Sequence, residues 1–176
     1  KVTATSSYAG GIVGRAYYAY LRYNDNFGDV ISSSNYVGGI IGYAQQYVYP
    51  QYNTNAGDVK GTTYVGGIVG YGANYIYTDY CVNSGDVTST NGGTDYVGGI
   101  VGSQNGSSDC YIRYCMNAGQ VEGYNYVGGI AGYNYYGNYI QYCLNVGNTK
   151  WFNASTYVGA ILGYCSSGVP TECYWD

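Results

Sequence analysis

The octapeptide YVGGIVGY, beginning at Tyr64, returns in near-copy at Tyr8 (YAGGIVGR), Tyr36 (YVGGIIGY), Tyr96 (YVGGIVGS), Tyr126 (YVGGIAGY) and Tyr157 (YVGAILGY). The steps between copies are 28, 28, 32, 30 and 31 residues. A fixed period of this size marks a repeat architecture, in which one supersecondary unit cannot bury its apolar side alone and must stack on its neighbours.

A second motif follows each of the first five copies: YNDNFGDV from Tyr23, YNTNAGDV from Tyr52, YCVNSGDV from Tyr80, YCMNAGQV from Tyr114 and YCLNVGNT from Tyr142. Tyr, Val and Ile favour strands, and Gly, Asn and Asp favour the turns between them. Helix is disfavoured because each interior glycine costs about 1 kcal/mol relative to alanine. The unit predicts one coil of a parallel β-solenoid (β-helix): an all-β domain spanning residues 1–176, with about six coils and about three short strands per coil. Equivalent strands would pair in parallel at about 4.8 Å. The glycine pair, Gly66 and Gly67 in the third copy, predicts a bend, a bulge or close contact with the next coil. Val65 and Ile68 have opposite parity yet recur as apolar, so a corner at the glycines is expected to turn both inward.

Composition narrows the function. With 6 basic and 10 acidic residues the net charge is −4, which offers no electrostatic footprint for nucleic acid or anionic membranes. No run of 18 apolar residues is present to insert in a bilayer. No signal peptide opens the chain, and Lys1 falls inside a repeat, so a mature protein or an excised segment is expected. The six cysteines suggest an oxidising compartment.

Stacking places like residues in columns. Asn26, Asn55, Asn83, Asn117 and Asn145 form one, read as turn amides bonding along the axis. Asp29, Asp58 and Asp86 form a shorter one, continued by Gln120 and Asn148. A cation such as calcium would bridge three stacked carboxylates, but solvated turn aspartates are the preferred reading, and no metal or cofactor is assigned. Cys81, Cys115, Cys143 and Cys173 share a third column, whose place is taken by Asn24 and Asn53 in the first two coils. Zinc needs converging ligands, whereas a column spreads its sulfurs along the axis. Cys165 and Cys173 flank the last loop and are the disulfide candidates. Asn105 (NGS) and Asn153 (NAS) fit the N-glycosylation pattern. Tyrosine supplies 28 residues, too many to bury in so thin a solenoid, so the surplus is expected outside as aromatic strips.

The VGGIVGY core followed by C-x-N-x-G and ending in CYWD resembles the GLUG-motif repeats of bacterial surface proteins, found in adhesins and in parts of some secreted peptidases. The likeness recurs six times across nearly the whole chain. Cys81, Cys115, Cys143 and Cys173 match the motif's cysteine, and Asn24 and Asn53 depart from it. It implies an extracellular or cell-surface role and supplies no catalytic residues.

The residues bear on three functions. Histidine is absent, so no Ser-His or Cys-His pair can form, and the chain is expected not to be an enzyme. A glycan-binding adhesin would use exposed tyrosines and the variable loops 43–50, 71–78, 103–110 and 133–138. A structural subunit is favoured over it. Lys1, Val2 and Thr3 align with Asp29, Val30 and Ile31, and Cys173 to Asp176 align with Cys143 to Val146, so one molecule's first strand would continue the coil left open by another. The expected partners are the protein itself, head to tail, and surface glycans or host proteins, in a fibre or an adhesin stalk.

Overall fold

The computed structural model describes residues 1–5, 7–106, 109–135, 138–152 and 157–176, and every regular element in them is a β-strand. The chain winds as a parallel solenoid of about six coils. Among the described residues the strands form five sheets, four of them six-stranded and one five-stranded, the last coil meeting the fifth sheet only through the bridge between Gln141 and Thr171. The third coil shows the plan: Val59–Gly61, Tyr64–Gly66, Val69–Ala73, Tyr77–Asp79 and Val82–Asn83 lie in five different sheets. Register follows the sequence period, with Tyr64 beside Tyr36 and Tyr96, and Val65 beside Val37 and Val97.

Five strands per coil replace the three expected, because two segments read as continuous strands are each broken. The first break is at the glycine pair. A Cβ at Gly66 would collide with the carbonyl oxygen of Val69, and one at Gly67 with the carbonyl of Gly99 in the next coil and the side chain of Asn83. Gly66 and Gly67 are absent from the positive-φ residues, so close approach rather than left-handed backbone is what demands glycine here. The second break is at the tyrosine that opens the second motif. Tyr23, Tyr52, Tyr80, Tyr114 and Tyr142 all hold φ between 53° and 58°, a left-handed conformation that ends one strand and turns the chain into the next.

The corner at the glycines divides the interior. Val65 and Ile68 are both fully buried but face different cores. Two valine rows from adjacent sheets, Val30, Val59, Val87 and Val121 and Val37, Val65, Val97 and Val127, make the smaller core. The isoleucines Ile40, Ile68, Ile100 and Ile130 belong to the larger core with the cysteine column. Burying each such branched side chain contributes about 1.5–3 kcal/mol, and the continuity of the columns carries that gain from coil to coil.

Candidate functional site: side-chain ladders

Because each coil repeats the last in register, side chains meet their own kind along the axis, and four kinds of ladder result. The asparagine ladder lies inside. Nδ2 of Asn26 donates to Oδ1 of Asn55 at 2.7 Å, Asn55 to Asn83 at 2.7 Å, Asn83 to Asn117 at 2.8 Å and Asn117 to Asn145 at 2.8 Å. The same nitrogen of each also donates to the carbonyl two residues on, as Asn83 does to Gly85 at 2.8 Å. All five amides are buried, and each packs against the second glycine of its own coil, as Asn83 does against Gly67. The two sequence motifs are therefore one structural device: glycine opens the space that the amide fills.

The aspartates do not converge. Oδ1 of Asp58 accepts the backbone N–H of Asp86 at 3.0 Å, and Oδ1 of Asp86 accepts that of Gln120 at 2.9 Å. Each carboxylate caps the turn of the following coil instead of facing a shared point. Among the described residues no three acidic, His or Cys side chains gather as metal ligands, so Asp29, Asp58 and Asp86 do not make a cation site, and Asp58 and Asp86 serve as turn caps.

The cysteine column stacks as expected, with Cys81, Cys115 and Cys143 buried and Cys173 half-buried. Each thiol donates to the carbonyl two residues before it, at 3.2 to 3.4 Å. All six cysteines are free, so the expected Cys165–Cys173 bridge is absent. The reason is orientation: the Cys173 sulfur turns into the column, toward Thr171 and Ile140 carbonyls, while Cys165 lies in the sheet beside Asn134. Burial pushes the Cys115 thiol well up, and the neighbouring thiols of the column lower Cys143 while Cys173 is raised. Asn105 is exposed, and Asn153 lies outside the described residues.

Tyrosine makes the outer ladders. Tyr8, Tyr36, Tyr64, Tyr96, Tyr126 and Tyr157 stack at 4.8 to 5.3 Å between ring centres. Tyr43, Tyr71, Tyr133 and Tyr164 buttress them from the adjacent sheet, mostly edge to face. The left-handed tyrosines that open the second motif, Tyr23, Tyr52, Tyr80, Tyr114 and Tyr142, form a second stack at 4.8 to 5.1 Å with planes within 10° of one another, and all five are exposed. Tyr20, Tyr49, Tyr77 and Tyr111 make a third, at 4.4 to 5.0 Å. Burial and neighbouring phenols push Tyr71 and Tyr77 up to about 12. Stacking hides the ring faces against one another and leaves the edges of the exposed rings open.

A polar ladder that the sequence did not announce runs beside the third tyrosine stack. Arg22 donates to Gln51 at 2.8 Å, Gln51 to the buried Asp79 at 3.2 Å, and Arg113 to Asp79 at 3.1 Å while lying 3.7 Å from the Tyr111 ring centre. The signal lay in the residue two places beyond each tyrosine of that stack, but Arg, Gln and Asp share no type to reveal a column. Asp95 was missed as well: it is buried and accepts the N–H groups of Tyr124 and Asn125 at 2.9 and 2.7 Å, and burial raises its pKa.

No family model and no curated protein matches the sequence. Among solved structures, a candidate immunoglobulin A1 protease from Bacteroides ovatus shares the fold, with a TM-score of 0.75 and 24% identity over 99% of this chain and 56% of that chain. This chain thus spans about half the length of its structural neighbour. That likeness shows the fold. The expectation that the chain is not an enzyme is corrected here, since the neighbour that shares this fold carries a protease's name.

Proposed function

We propose that this solenoid is a rigid structural and adhesive section of a bacterial extracellular or cell-surface protein, related to the GLUG-motif repeats its sequence resembles. The observation that supports it most is the left-handed tyrosine ladder. Five consecutive coils keep a large ring where glycine or asparagine would sit with less strain, and all five rings are exposed. A sequence that keeps rings in a conformation they resist has a use for the surface they make. The ladder offers edges and hydroxyls at the spacing of the coils, a surface suited to protein backbones and polar side chains. Glycans dock on the flat faces of aromatic rings, and here those faces are taken up by stacking. Host or neighbouring-cell proteins are therefore favoured over glycans as partners. Head-to-tail contact with a second copy, the other partnership the repeat allows, would use the exposed backbone of a terminal coil.

Binding to immobilised extracellular proteins and to a glycan array tests this reading. The comparison is the native chain against one carrying Tyr52→Asn, Tyr80→Asn, Tyr114→Asn and Tyr142→Asn, since asparagine tolerates the left-handed backbone. The expected result is binding to a protein surface that weakens about tenfold or more in the variant. Binding to glycans alone, or equal binding by both chains, refutes it.

A further inference from the structure

The thiol column holds a chemistry the ladders do not use. Leu144 and Tyr174 pair in register, so the residues before them, Cys143 and Cys173, lie side by side on adjacent coils. Neighbouring parallel strands stand about 4.8 Å apart, inside the roughly 4.4–6.8 Å between Cα atoms that a disulfide spans. The backbone bonds at this very point: the N–H of Tyr174 donates to the carbonyl of Cys143 at 2.9 Å. Cys81 and Cys115 are closed off from solvent, whereas Cys173 is half-buried and within reach of a dissolved oxidant. We propose that Cys143 and Cys173 form an oxidation-dependent disulfide that staples the fifth and sixth coils, with a small disulfide such as oxidised glutathione as the oxidant.

The steps balance. The Cys173 thiol loses its proton and attacks one sulfur of oxidised glutathione. The glutathione S–S bond breaks, one glutathione thiolate leaves and a mixed disulfide stays on Cys173. Cys143, deprotonated in turn, attacks the Cys173 sulfur, forms the inter-coil bond and expels the second glutathione thiolate. Two protein thiols are oxidised by two electrons, and the two leaving thiolates take up the two protons. The mutual contact of the two cysteines lowers Cys143 and raises Cys173, so it is access to solvent and not acidity that makes Cys173 the first thiol to meet the oxidant. Cys115, whose pKa burial drives well up, stays reduced.

Cys165 supplies the competing outcome, since it and Cys173 line one cavity at the sixth coil. The native chain and a Cys165→Ser variant are incubated with oxidised glutathione, free thiols are alkylated without reduction, and the digest is mapped by mass spectrometry. The expected result in both is a cross-linked peptide pair carrying Cys143 and Cys173, two hydrogens lighter than the sum of its parts and lost on reduction. A Cys143→Ser chain is expected to stop with glutathione on Cys173. A Cys165–Cys173 link, glutathione persisting on Cys173 in the native chain, or six unmodified thiols each overturn the assignment.

Discussion

Tyr80 shows how much a single residue carries in this chain. Its left-handed backbone costs about 1–2 kcal/mol relative to a right-handed one, and stacking between Tyr52 and Tyr114, at 4.9 and 4.8 Å, offsets part of that. Tyr80→Asn should therefore leave stability within about 1 kcal/mol of native, because relief of strain balances the lost stacking. Tyr80→Val should lose about 1–3 kcal/mol, since a β-branched side chain resists positive φ and stacks on nothing. Urea unfolding of the two variants measures the difference, and equal midpoints would refute it. Gly67→Ala should be worse than either substitution suggests by size: its methyl meets the backbone of Gly99, which cannot move without displacing the next coil. A loss of about 1–3 kcal/mol or more is expected in the same assay. The glycine's importance was legible in the sequence, because six copies kept the pair or its near-equivalent. The tyrosine's conformation was not, since tyrosine is a strand former and nothing local betrays a left-handed turn at it.

The asparagine ladder and the isoleucine column test how far one coil depends on the next. Asn83→Ala removes the acceptor for Asn55 and the donor for Asn117, leaving both buried amides short of a partner. At about 1–3 kcal/mol for each buried group left unpaired, it should cost more than Asn26→Ala, which breaks one ladder bond instead of two. Ile68→Ala, in the closed core, should cost about 2–5 kcal/mol. Thermal unfolding of the three variants orders them, and an Asn26→Ala loss equal to that of Asn83→Ala would count against cooperative bonding along the ladder. Periodicity made these columns readable, because a residue at fixed phase in a stacked repeat has to meet its own copies. It did not count the strands: both breaks come from backbone geometry, one from a carbonyl in the next coil and one from positive φ. The Arg22–Gln51–Asp79–Arg113 ladder stayed hidden because its members complement one another by charge instead of repeating by type.

For the molecule as a whole, the packed phenols set an alkaline limit. A free tyrosine titrates at 10.0, and in the folded chain Tyr71 and Tyr77 are pushed up to about 12 by burial and neighbouring rings, with Tyr43, Tyr64, Tyr96 and Tyr133 raised in the same direction. Above pH 10 the unfolded chain has given up protons that the folded chain still holds. Their contribution is intact below pH 10 and is lost as pH climbs toward about 12. Circular dichroism melts should show a midpoint steady from pH 7 to 9 and falling steeply beyond 10, and a flat profile to pH 12 would contradict the packing of the outer rings. The asparagine amides add a property that no single coil possesses. All four of their mutual bonds run the same way, nitrogen to oxygen from the early coils toward the late ones. The column is thus an arrow. A repeat spliced in with its chain sense kept would extend it, whereas one docked upside down would set oxygen against oxygen at one junction and nitrogen against nitrogen at the other, so concatenated or shuffled versions of this protein can grow in one polarity alone.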